Sequence, residues 1–205
     1  MSAPGMAADR RSYGGFIMGV INQLRELREF GGKPRTTGLD DASIERMAAN
    51  DPMLGQAIAD AVTRHHELRA DLADFLKLDE TEQLAQVQAG FVNFYPDDAI
   101  SPYLPAAARG PWIVTLKGAV VHDNGGYGML GFGHNDPAIL EALSRPQVMA
   151  NVMAPSVSQL RFTAALNKEL GRNRGGTPYP RYLCLNSGSE SVSLACRIAD
   201  VNAKL

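Results

Sequence analysis

At 205 residues, with 45% hydrophobic and 20% charged side chains, the chain has the composition of a soluble globular protein of one or two domains. A formal net charge of −2 gives no electrostatic basis for binding nucleic acid or an anionic membrane surface. Two cysteines, Cys184 and Cys196, exclude a disulfide framework or a zinc pattern, and both are expected as small buried hydrophobes. No signal-like or membrane-length apolar run occurs, Phe16 to Ile21 being too short, so a cytoplasmic protein is the expectation.

Residues 1–12 are small and polar and read as a frayed end. From Tyr13, apolar residues recur at Phe16, Ile17, Val20, Ile21, Leu24 and Leu27, which is helical spacing, and Gly31-Gly32 before Pro34 stops the helix. Asp40 or Asp41 caps a short helix carrying Ile44 and Met47 that ends before Pro52. A third helix, about Met53 to Leu78, has the stripe Ile58, Ala61, Val62, His65, Leu68, Leu72, Phe75 and Leu76. His65 falls on that stripe and His66 off it; with no cysteine or further histidine at ligand spacing, the pair reads as structural. A fourth helix, roughly Glu80 to Asn93, completes an all-helical extension over residues 1–93.

Composition shifts at Tyr95-Pro96, and the proline-rich segment to Pro111 reads as extended, irregular chain. Trp112–Leu116 and Ala119–Val121 read as two strands of a hairpin turned at Lys117-Gly118, followed by a turn at Asp123–Gly126. Residues 126–131 match the dinucleotide fingerprint G-x-G-x-x-G only in letters. The last glycine should open a helix, whereas here Asp136 and Pro137 place the helix start later. Further helices are expected from Pro137 to near Pro146 and from Ser158 to Leu170, with a basic loop at Arg172–Gly176.

The C-terminal stretch Tyr182–Ala199 carries the most chemistry. Tyr182–Leu185 reads as a buried strand, Asn186–Ser189 as a polar turn, and Glu190 onward as a helix. Three readings of that turn compete. It is a phosphate cradle, with Gly188 permitting close approach and Ser187 and Ser189 donating beside a helix N-terminus; a hydrolase nucleophile elbow; or a serine-rich N-cap. A Walker loop is excluded because no Gly-Lys-Ser/Thr follows. The elbow lacks its flanking glycines, and all four histidines precede the serines.

Three pieces stand in order: a hairpin ending Val121-His122-Asp123, then Gly131-Phe132-Gly133-His134-Asn135-Asp136-Pro137, then Asn186-Ser187-Gly188-Ser189-Glu190-Ser191. Together they make residues 94–205, a little over half the chain, resemble the N-terminal part of class III (ω-type) aminotransferases, which are fold type I pyridoxal 5′-phosphate enzymes. The resemblance implies an α/β fold with a mainly parallel sheet, incomplete here, behind the all-helical extension. It implies that Ser187, Gly188 and Ser189 hold the cofactor phosphate, and that the turn around Tyr127 and Met129 lies toward the substrate. His134 belongs to a structural motif of the family and is not made catalytic. Also implied are transfer of an amino group from an amine or amino acid to a 2-oxo acid, and a homodimer.

In such enzymes the Schiff-base lysine, the aspartate facing the pyridinium nitrogen and the stacking aromatic follow the phosphate turn. None of Lys33, Lys77, Lys117, Lys168 and Lys204 stands in the family position of that lysine. The expectation is an N-terminal fragment, inactive alone. The rival reading is a non-catalytic protein, a helical interaction module joined to a degenerate cofactor domain.

Overall fold

The computed structural model describes residues 19–90, 92, 103–124, 131–146, 148 and 154–204. Tyr127 and Met129, the start of the first expected helix, and the Gly125-Gly126 turn lie outside the described residues. Those described form a mixed α/β protein of seven helices and a three-stranded antiparallel sheet. The chain divides into two compact units, Met1–Arg145 and Pro146–Leu205.

Local capping sets the helix ends of the first unit. Helix α1 (Val20–Glu29) buries Val20, Leu24 and Leu27 along one stripe and gives way at Gly31 and Gly32, both with positive φ. Helix α2 (Asp41–Ala48) starts where the Asp40 carboxylate accepts the Ser43 N–H at 2.9 Å. Helix α3 (Pro52–Lys77) has Asp51 as cap, proline in its first turn and a break in helical geometry at Leu72. Its buried residues include Leu54, Ile58, Ala61, His65 and Leu76 from the expected stripe or one turn beyond it. Helix α4 (Glu80–Gln88) opens on Asp79, whose N–H the Glu82 carboxylate accepts at 3.0 Å.

Strands β1 (Pro105–Arg109), β2 (Trp112–Thr115) and β3 (Val120–His122) lie in the order β1-β2-β3, all antiparallel. The hairpin agrees with its sequence pattern, and Gly118 turns it at φ +70°. Strand β1 corrects the reading of this stretch as irregular. Pro105 stands at the strand's first position, where no ladder donor is required, and Ala107, Ala108 and Arg109 pair with β2. The sheet described is antiparallel, not parallel. Trp112, Val114 and Val120 share one core with Val20, Leu24, Leu27, Ile44, Leu54, Ala57, Ile58 and Ala61. Helices and sheet are thus built around a common interior, although composition changes at Tyr95-Pro96.

Polar groups are buried in this unit with partners. Lys117, at the hairpin turn, is 3% exposed, and its ammonium donates to the carbonyls of Gly31 (2.6 Å), Leu76 (2.8 Å) and Leu78 (2.6 Å). Glu80 accepts the backbone N–H groups of Arg35 and Thr36 and the Thr36 hydroxyl. His65 accepts from Arg69 Nε at 3.1 Å and meets the Phe30 ring edge-on, while Arg69 lies over that ring. Its neighbour His66 is exposed, as its place off the stripe indicates, and pairs with Glu26.

The second unit contains α6 (Val157–Gly171) and α7 (Gly188–Asn202); α5 (Pro137–Ser144) belongs to the first. Ser156 and Gln159 form a capping box for α6. The Tyr182 hydroxyl donates to Asn167 Oδ1 at 2.7 Å and shares a 3.0 Å hydrogen bond with Thr177, tying the linker between the two helices to α6. Among the described residues, no helix is long and apolar enough to cross a membrane.

Candidate functional site

The sequence S-x-x-E at Ser187–Glu190 dictates the start of α7. Ser187 Oγ accepts the Glu190 N–H at 3.2 Å, and the Glu190 carboxylate accepts the N–H groups of Asn186 (2.9 Å) and Ser187 (3.1 Å). Helix therefore begins at Gly188, two residues before the apolar spacing alone indicates, and Ser187 is the N-cap. The Ser191 hydroxyl donates to the Ser187 carbonyl at 3.0 Å, so the turn is fastened from within its own first helical turn.

Ser187, Gly188 and Ser189 are brought together, as the sequence requires of neighbours, and all three are exposed. Glu190 occupies the two upstream amides. Those of Gly188 and Ser189, the first two helical positions, have no protein partner among the described residues. A Cβ placed on Gly188 would meet nothing within 4 Å, so an anion has open access to both. Two amides at the positive end of a 15-residue helix, with two serine hydroxyls beside them, suit a phosphate in donor type and number. The fit is incomplete in one respect: no described residue walls the turn, and attraction in full contact with water is screened.

Two expectations around the turn are corrected. Tyr182–Leu185 is not a strand. A strand needs a neighbour for its ladder, and the regular elements described in this unit are helices. Cys184 and Cys196, expected buried, are both exposed. Leu183, Leu185 and Val192 are exposed with them, because nothing described here covers that apolar side. The basic loop is internally satisfied in part, with Arg172 paired to Glu169 at 2.8 Å.

The Gly131–Pro137 motif lies in the other unit. Gly110 and His134 exchange backbone hydrogen bonds of 2.9 and 2.7 Å, which pin this loop to the β1–β2 turn. Gly133 takes φ +78°, and a Cβ there would come within 2.8 Å of the Gly110 backbone, so this close approach needs glycine. Asn135, at φ +54°, donates its amide to the Ala108 carbonyl at 2.8 Å. Asp136 caps α5 by accepting the N–H groups of Ala138 and Ile139, with Pro137 first in the helix as its sequence position indicates. His134 Nε2 donates to Asp123 Oδ2 at 2.8 Å, a pairing across 11 positions that no spacing rule identifies.

Compared with protein-family models, curated proteins and solved structures, the chain matches none. The site therefore rests on its own geometry. Glu190 is the residue that a reading centred on the serines undervalues, and the S-x-x-E spacing was the signal for it.

Proposed function

We propose that the chain is the N-terminal part of a class III aminotransferase of fold type I, in which the turn Asn186–Ser191 anchors the phosphate of pyridoxal 5′-phosphate. The observation that carries this reading is the pair of free amides at Gly188 and Ser189 inside the Asn-Ser-Gly-Ser-Glu sequence. When bound, the cofactor supplies the electron-accepting ring through which an amino group passes between an amine or amino acid and a 2-oxo acid. The chain's own residues bind and orient. The amides of Gly188 and Ser189 and the hydroxyls of Ser187 and Ser189 face the phosphate, and Glu190 holds the turn in place from the other side. A homodimer in the cytoplasm and a parallel sheet completed by further strands belong to the same reading.

The complete capping box at Ser187 and Glu190 favours a second reading, a helix cap with no ligand. Equilibrium dialysis with pyridoxine 5′-phosphate, which has no aldehyde to react with surface lysines, separates them. Saturable binding displaced by inorganic phosphate and weakened at least about fivefold by Gly188→Val supports the anchor, five-fold being about 1 kcal/mol. Because a Cβ at Gly188 meets nothing, the substitution leaves the fold intact. Binding unchanged by Gly188→Val, or no saturable binding, leaves only the cap.

A further inference from the structure

The first unit contains a cleft of about 700 Å³ between the start of α3, the β1–β2 turn, the end of β3 and the Gly131–Pro137 loop. That volume lies in the range of small-molecule sites. The cleft is independent of the phosphate turn and of the reading built on it. Met53, Pro111 and Phe132 give it apolar walls, and His122, His134 and Gln56 contribute polar atoms.

Among the described residues, the charges of its lining are all engaged. Arg109 is held by Asp60, Asp123 by His134, and Asp136 by the first amides of α5. An ionic ligand would meet no unpaired countercharge among the described residues, so the fitting ligand is neutral. The two imidazoles, by contrast, each present a bare nitrogen. His134 gives its Nε2 proton to Asp123, which leaves Nδ1 as an acceptor. His122 Nδ1 lies 2.8 Å from the Asn124 side-chain oxygen, an acceptor, which leaves His122 Nε2 bare in turn. Neither bare nitrogen has a protein partner among the described residues. Acceptors call for a donor on the ligand, and the apolar walls call for a ring.

We propose that this cleft binds an uncharged, hydroxyl-bearing aromatic compound of the phenol class, with the ligand O–H donating to His134 Nδ1. Asp123 is a positioning residue: its carboxylate accepts the Nε2 N–H, which fixes the tautomer and leaves Nδ1 as the accepting nitrogen. The backbone exchange between Gly110 and His134 fixes the main chain that carries the imidazole, and Asp123 holds the ring itself.

The chain has one tryptophan, and Trp112 contacts the His122 ring edge-on at 4.9 Å between centroids. Its fluorescence, with imidazole nitrogen resonances, reports occupancy during titration of the whole chain with para-cresol. The expected result is saturable binding with a shift at His134 Nδ1. Toluene, lacking the hydroxyl, binds about fivefold more weakly, the net value of one hydrogen bond, and benzoate more weakly than para-cresol. His134→Phe produces a similar loss, whereas His134→Gln, which keeps an acceptor, loses less. Absence of saturable para-cresol binding, equal affinity for toluene, or unchanged affinity in folded His134→Phe overturns the proposal. Where His134→Phe fails to fold, the toluene comparison on the unaltered chain decides.

Discussion

Replacing Lys117 by methionine tests whether the hairpin turn holds the helical layer. The ammonium of Lys117 donates to three carbonyls, Gly31 after α1 and Leu76 and Leu78 at the end of α3, at 2.6 to 2.8 Å. Methionine keeps most of the stem and removes all three donors. Each carbonyl left buried without a partner costs about 1–2 kcal/mol, or about 3–6 kcal/mol together. Part of this is returned, because the charge no longer has to be desolvated. Burial lowers the lysine pKa, with Asp79 and Glu80 opposing, which is the same desolvation seen from the titration side. A net loss of about 2–4 kcal/mol is expected, a large share of the 5–15 kcal/mol typical of a domain. The assay is urea unfolding of the whole chain followed by Trp112 fluorescence, since that side chain is 5% exposed within the affected core. Lys117→Gln, which retains donors, should fall between. A midpoint shift equivalent to less than about 0.5 kcal/mol for Lys117→Met refutes the reasoning.

Two further perturbations act on the same unit. Gly32 stands at φ +67°, and a Cβ there would overlap the Leu78 carbonyl oxygen and come within 2.6 Å of the Lys117 ammonium, so Gly32→Ala should destabilise by at least about 2 kcal/mol in the same unfolding assay. Burial first, then the adjacent Arg69 and His66 charges, lowers the His65 pKa from 6.5 to about 4. Between those values the unfolded chain binds a proton that the folded chain does not. Stability from this group is therefore fully present above pH 6.5 and falls as pH drops toward 4, by at most about 1.4 kcal/mol per pH unit. Unfolding midpoints at pH 7 and pH 5 should diverge less in His65→Leu than in the unaltered chain, and an equal divergence would assign the pH dependence to other groups.

The parts of this protein legible in the sequence are those fixed within a few residues. Asp40, the Asp51-Pro52 pair and the Gly31-Gly32 stop determine helix ends from their immediate neighbours, and the structure has helices between them. Strand β1 was illegible because Ala106–Ala108 carry no strand pattern of their own; the β2 ladder imposes it. Lys117 was illegible for a related reason. Its three acceptors come from residues 31, 76 and 78, and a lysine before glycine otherwise describes a solvated turn. Tyr182–Leu185 shows the converse error. An apolar run states a need for cover, not the presence of a partner strand, and the described residues supply none.

The turn at Ser187 lies between these cases. Its capping box follows from four consecutive residues and forms whether or not an anion arrives. The amides of Gly188 and Ser189 point out of the helix start equally in a cap and in a phosphate anchor. The difference between the two is what faces those amides, a non-local property that local patterns do not encode. A side chain at Gly188 alters that space and nothing else in the cap. Gly188→Val should therefore leave the helix content and unfolding midpoint within about 0.5 kcal/mol while reducing phosphate-ester binding. If stability and binding fell together, the loss would belong to the cap; binding lost alone belongs to the anchor.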